Sequence, residues 1–179
     1  ALPRGGYATL FNRMLEAAGE NVTVQLNTSF QEARLAVSFR HLIYTGAIDA
    51  YFEHSLGDLP YRSLRFEFES FSSAQLDKGE HENGRPGFWQ PFLQVNYPND
   101  HDFTRIVEIK HATGQMSESS TIVREYPEDF GPGKEPYYPI PTSDSAELYS
   151  RYKRLTADEE DVSFVGRMAR YRYFNMDQV

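Results

Sequence analysis

An α+β fold, a twisted antiparallel β-sheet with flanking helices, is the class these 179 residues predict. Three observations predict it. Four long segments in the middle of the chain alternate apolar and polar residues with period two. One amphipathic helical stretch precedes them and another follows. Two short apolar strands, far apart in sequence, each run into a glycine.

Tyr7, Leu10, Phe11, Met14, Leu15 and Ala18 recur at helical spacing with Gly19 behind them, so 7–18 is predicted as an amphipathic helix that stops at the glycine. Residues 21–26, alternating and β-branched, read as a strand, and a bland stretch follows. His41–Thr45 is a short, mostly apolar strand ending at Gly46, with a helical turn expected over 48–52. The period-two segments are 61–71, 88–97, 103–112 and 120–126. In the first, Leu64, Phe66 and Phe68 share one face while Arg65, Glu67 and Glu69 share the other, the pattern of a sheet wet on one side. The glycine-rich run 77–87 reads as a mobile surface loop. After the turn-rich residues 127–141, Thr142 or Ser143 can cap a helix over 143–156, whose apolar stripe is Ala146, Leu148, Tyr149 and Tyr152. Val162–Val165 resembles 41–45 and also ends in glycine, Gly166, and these two strands read as members of a different sheet. Residues 175–179 have the look of a helix beginning.

Composition narrows the functional classes. A formal net charge of -8 gives no general attraction to phosphate backbones, so a nucleic-acid partner is not expected, and an anionic ligand would need local arginines. Without cysteine there is no disulfide framework, thiolate metal site or thiol nucleophile, which fits a cytoplasmic setting. No apolar run approaches the roughly 18–20 residues of a membrane span. The histidines form no metal-ligand pattern, and Asp100-His101-Asp102 reads as a solvated turn.

Six local signatures in order are similar to the bacterial UDP-galactopyranose mutase family. They are Gly6-Tyr7, Tyr44–Phe52, Tyr61–Leu64, Phe103–Ile106 with Glu108 and Lys110, Pro136–Ile140, and Phe164–Arg167 leading to Tyr171–Asp177. The chain thus resembles the C-terminal part of such an enzyme. The glycine-rich dinucleotide fingerprint, the helical domain and the family's mobile-loop arginine are not among its residues. The implied parent is a flavin-dependent isomerase, a homo-oligomer, that interconverts UDP-galactopyranose and UDP-galactofuranose with reduced FAD as nucleophile at the anomeric carbon. The resemblance divides the chain into 1–37, leading out of the substrate domain; 38–52, a flavin-domain strand and turn; 53–141, the sheet domain; and 142–179, returning to the flavin domain. The strands at 41–45 and 162–165 become stray members of an incomplete FAD-binding Rossmann-like domain, and the chain alone is expected to be inactive.

The same resemblance implies the site. Arg105 matches the family's diphosphate-binding arginine, which suits the task because its planar donors match phosphate oxygens in pairs and it keeps its charge. Tyr7, Tyr138 and Tyr173 match tyrosines whose hydroxyls contact diphosphate or sugar. Asn96 and Asn175 match substrate-side positions, Asn175 standing where many members have aspartate, so it can hydrogen-bond but carries no charge. Arg62, Arg167 and Met176 match positions near the flavin. The residues alone leave other readings open: a surface salt bridge for Arg105, ordinary aromatic packing for the tyrosines, structural ion pairs for Arg62 and Arg167. For the whole chain the rivals are a non-catalytic sugar-nucleotide or carbohydrate-binding sheet domain, and an amine oxidase-like flavoprotein.

Overall fold

In the computed structural model, which describes residues 3, 5–77 and 86–179, helix α1 spans Gly6–Ala18 and ends at Gly19, whose φ of 58° suits a residue without a side chain. Its apolar stripe is formed as expected, yet α1 buries none of its residues, and Phe11 and Met14 are more than half exposed. The strand expected over 21–26 is absent. Asn21 closes a 3-10 turn (Gly19–Asn21) and residues 22–26 lie outside helix and strand, with Val22, Val24 and Leu26 exposed; alternation favours a strand only where a partner supplies the ladder. The bland stretch holds a helix, α2 (Phe30–Ala36), begun by a capping box in which Ser29 Oγ accepts from Glu32 N and Glu32 reaches back to Ser29 N.

The chain divides into two units, Ala1–Thr28 with Arg65–Tyr126 and Ser29–Leu64 with Pro127–Val179. In the second unit β1 (Leu42–Tyr44) pairs in parallel with β7 (Val162–Phe164), Leu42 facing Val162 and Tyr44 facing Phe164, so the two glycine-ended strands do form a separate sheet. Helix α3 (Ile48–Tyr51) follows β1, and helix α6 (Ser143–Leu155) is capped by Thr142 with Ser145. Ile48, Leu59, Tyr61, Tyr152 and Tyr171 form the core of this unit. A neighbouring cluster of Tyr44, Tyr51 and Ala169 packs with Phe30, Phe52 and Phe164.

This core is rich in phenols, and each buried hydroxyl has a partner, as desolvated polar groups require. Tyr152 Oη donates to Gly57 O (2.6 Å) and accepts from Leu56 N (3.0 Å). Tyr171 Oη donates to Pro60 O (2.6 Å). Tyr61 Oη donates to Asp49 Oδ1 (3.2 Å), while Asp49 Oδ2 accepts from Leu59 N (2.9 Å), so one buried carboxylate ties α3 to the start of strand β2 (Tyr61–Phe71). Burial above all, then the Asp49 charge, pushes the Tyr44 phenol up to about 12. Burial and then the bond to Glu159 do the same for Tyr51, also to about 12.

The larger sheet has five strands in the order β3-β4-β5-β2-β6. Strand β2 (Tyr61–Phe71) matches its expected span, and β5 (Ser120–Asp129) runs three residues past the expected end. The second and third period-two segments are largely something else: β3 is only Gln94–Asn96 and β4 only Arg105–Glu108. The chain leaves β4 for helix α5 (Lys110–Thr113), stopped by Gly114 at φ 63°. Two further short helices, α4 (Ser73–Asp77) and α7 (Gly166–Ala169), carry no period a sequence could announce. The last strand, β6, is Tyr138–Pro139 and pairs antiparallel with the start of β2.

What bends the chain out of strand at residue 110 is a buried polar knot in the first unit. The Lys110 ammonium, nearly buried, donates to the carbonyls of Gly87 (2.6 Å), Ser117 and Ser119 (3.1 Å). Glu108, fully buried, accepts from Trp89 N (2.8 Å), Gln90 N (2.9 Å) and Ser120 Oγ. These two charges fasten residues 87–90 to the ends of β4 and β5. The expected one-sided wetting of β2 is not what its outer half shows, because Phe66 and Phe68 are exposed along with Arg65, Glu67 and Glu69. The loop expected over 77–87 falls mostly outside the described residues. Asp100, His101 and Asp102 are exposed, with the His101 ring stacked on Phe103 at 4.5 Å. At the chain end, the expected helical start is a single 3-10 turn, Met176–Gln178.

Candidate functional site

In the first unit, three strands in register set Asn96, Arg105 and Glu125 side by side as direct cross-strand partners, on one face of the sheet. Arg105 Nε donates to Asn96 Oδ1 at 3.1 Å, and Nη1 donates to Glu125 Oε2 at 3.2 Å. Gln94 Nε2 donates to the same Asn96 oxygen at 3.1 Å. Among the described residues Nη2 has no hydrogen-bond partner, so the guanidinium is held at two nitrogens and keeps two N–H donors unused. The side chain of Arg105 is 35% exposed and that of Glu125 14%. The salt bridge that the residues alone left open for Arg105 is formed, and it leaves the Nη2 donors unused. Glu125 is a residue that sequence reasoning missed. Its signal was available, since it lies in a period-two segment, but only the register β4–β5 shows that it meets Arg105.

Tyr7 lies on α1 in the same unit, 36% exposed, its ring stacked on Phe11 at 6.3 Å.

The second unit gathers a different set. Strand β6 sets Tyr138 opposite Arg62 of β2. The Tyr138 and Tyr173 rings stack at 6.4 Å and 24°. The Arg167 guanidinium lies 4.1 Å from the Tyr173 centroid and 5.7 Å from that of Tyr138, close enough for cation–π attraction to both. Its Nε donates to Phe174 O at 2.6 Å, which holds the plane in place. Arg62 pairs with Asp129 Oδ1 at 3.1 Å in an exposed position, the structural ion pair that its sequence left open. Asn175 is exposed and caps the final 3-10 turn with Gln178. The side chain of Met176 lies outside what the structure describes.

The carboxyl ends of β1 and β7 lead side by side into Thr45-Gly46 and Val165-Gly166, the end of parallel strands where ligands bind in open α/β sheets. A cavity of about 440 Å³ opens there, lined by Thr45, Gly46, Ala47 and Met168 among others. A Cβ at Gly46 would lie 2.5 Å from Tyr44 Oη, so the turn admits only glycine. Asp49, His54 and Asp58 place oxygen and nitrogen atoms within 4.8 Å of one another. The Asp49 oxygens are already engaged by Leu59 N and Tyr61 Oη, so that group reads as structural.

The UDP-galactopyranose mutase family model matches residues 1–173, and the chain belongs to that family. It is 31% identical to a probable UDP-galactopyranose mutase of Klebsiella pneumoniae, over 98% of this chain and 42% of that protein. It is 31% identical to the UDP-galactopyranose mutase of Mycoplasma genitalium, over 99% and 44%. A dTDP-fucopyranose mutase of Escherichia coli is 27% identical over 98% and 45%. The chain thus spans less than half the length of the curated relatives it matches. Among the described residues no helix is long and apolar enough to cross a membrane.

Proposed function

We propose that these residues belong to a flavin-dependent UDP-galactopyranose mutase of the relatives' length, in which they supply the diphosphate ligand and one flank of the flavin site. The observation that carries the reading is the pre-set guanidinium of Arg105, held at Nε and Nη1 with both Nη2 hydrogens left over. A nucleoside diphosphate offers paired anionic oxygens, and planar N–H donors fixed in advance bind them without a further ordering cost.

Arg105 then holds the diphosphate as it departs from the anomeric carbon, a step in which negative charge grows on the phosphate oxygens and fixed donors are worth most. Tyr138 and Tyr173 offer phenol hydroxyls toward sugar or phosphate. Arg167, stacked on both rings, adds a positive charge whose plane is already set. Thr45, Gly46 and Met168, which line the cavity at the carboxyl ends of the parallel pair, and Arg167, next to Met168 in the chain, fit one flank of a flavin. Bound and reduced, the flavin would supply the nucleophile for the anomeric carbon.

Titration of the chain with UDP, read by chemical-shift perturbation, tests the reading. The parent chain is expected to bind and Arg105→Ala to lose at least ~10-fold in affinity, as removal of a charge-assisted bond requires. Equal binding by parent and variant would refute it, and so would preference for a neutral sugar over UDP, the result a carbohydrate-binding sheet domain would give. In a protein of the relatives' length, ring contraction of UDP-galactopyranose under reducing conditions is the expected activity. Oxygen consumption with an amine substrate is the outcome that would replace it.

A further inference from the structure

We propose that Glu125 is a positioning residue for Arg105, holding the guanidinium in the plane from which Nη2 meets a diphosphate. This rests on the reading of Arg105 as the diphosphate ligand. Arginine on an exposed strand samples many rotamers, and a single partner leaves its plane free to swing. Here two acceptors grip two different nitrogens from opposite neighbouring strands, Asn96 at Nε from β3 and Glu125 at Nη1 from β5. Two directional bonds to a rigid planar group define its plane.

The order of burial separates this pair from an ordinary surface ion pair, which contributes little because both chains wave in solvent. The Glu125 side chain is the more buried of the two, 14% exposed against 35% for Arg105. The carboxylate is therefore the better shielded of the two, and the guanidinium keeps the greater access to solvent. Its backbone is fastened as well, since Glu125 O accepts from Thr104 N at 2.9 Å, next to Arg105 itself. Glu125 takes one Nη1 hydrogen through a single oxygen and leaves Nη2 alone, so it orients the arginine without occupying its unused donors.

The experiment uses the 179-residue chain and two readouts. The first is the Arg105 Nε–H resonance in the absence of ligand: a distinct, slowly exchanging signal in the parent and in Glu125→Gln, which keeps an acceptor oxygen at the same reach. In Glu125→Ala, where Asn96 alone still holds Nε and the plane is free to swing about that one bond, the signal is expected to shift and to exchange faster than in the parent. The second is UDP affinity: Glu125→Ala is expected to bind ~10-fold more weakly, the cost of ordering one rotamer-rich side chain on binding. Glu125→Gln stays within ~3-fold by the same reasoning, and in an Arg105→Ala background Glu125→Ala adds nothing. A merely structural role would lower the melting temperature without moving the Nε–H signal. Should Glu125→Ala fail to fold, Glu125→Asp, one methylene shorter, carries the same expectation. An unchanged Nε–H signal, or unchanged or tighter UDP binding in Glu125→Ala, overturns the role of Glu125 while a loss in Arg105→Ala leaves the diphosphate reading standing. Unchanged binding in Arg105→Ala sinks that reading and this inference together.

Discussion

Replacing Asp49 by asparagine changes one atom and tests how the second unit is held. Asp49 is 1% exposed and both its oxygens accept bonds, from Leu59 N at 2.9 Å and Tyr61 Oη at 3.2 Å. Asparagine keeps the shape but can accept through one oxygen only. With that oxygen on Leu59 N–H, the amide nitrogen must donate to Tyr61 Oη, whose own hydrogen then points at nothing. One charge-assisted bond becomes neutral and one buried donor is orphaned, a cost of about 1–3 kcal/mol. A unit of roughly 90 residues shifts its melting temperature by about 4–8 °C per kcal/mol, so a fall of roughly 4–24 °C is expected. Thermal unfolding followed by circular dichroism measures it, with Tyr61→Phe and the double variant completing a cycle. The double variant should lose less than the sum of the two singles, because the orphaned hydroxyl is gone. Full additivity, or Asp49→Asn melting within a degree of the parent, would refute the account.

Three further outcomes follow from other features. With Tyr44 and Tyr51 pushed up to about 12 and an unfolded phenol releasing its proton near 10, the unfolded chain binds fewer protons between those values, so stability is unchanged below about pH 9 and falls as pH rises through the window. Urea midpoints at pH 8, 10 and 11 check this, and a flat series contradicts it. Lys110→Met should destabilise the first unit by about 2–4 kcal/mol, since the carbonyls of Gly87, Ser117 and Ser119 lose their common donor; amide exchange in β4 and β5 reports it, and unchanged protection would remove the knot's importance. Ser29→Ala should cost α2 about 1 kcal/mol through loss of its cap, read as faster exchange at Glu32 N–H, while equal exchange rates would show that the cap is not what begins the helix.

Much of the architecture was legible in sequence because periodicity reports it directly. The stripe of α1, the span of β2, the helix after Thr142 and the two glycine-ended strands all follow from patterns within ten or so residues. The misses have physical causes. Residues 21–26 alternate without a ladder partner, and alternation alone cannot say whether one exists. The third period-two segment continues to Ala112, but a lysine that finds three carbonyls outweighs the strand period at residue 110. Helix α2 carries its start signal in Ser29-x-x-Glu32, a pattern too short to outweigh the lack of an apolar stripe around it. At the site, Arg105, Asn96, Tyr138, Arg167 and Tyr173 came from family resemblance, not from period. What sequence could not give was which acceptors hold Arg105, because Glu125 is 20 residues away and meets it only through strand register.

The parallel pair has a consequence for synthesis. Leu42 waits for Val162, which follows 120 residues later, and at roughly 5–20 residues per second that is an interval of about 6–24 s. During it, Arg65–Tyr126 leave the ribosome as a contiguous stretch that holds both members of its β3–β4, β4–β5 and β5–β2 pairings, while Ser29–Leu64 has made its half of a core with nothing to close on. The inserted unit is thus placed to mature first, and the phenol-lined half behind it stays open to chaperones until residues 143–171 emerge.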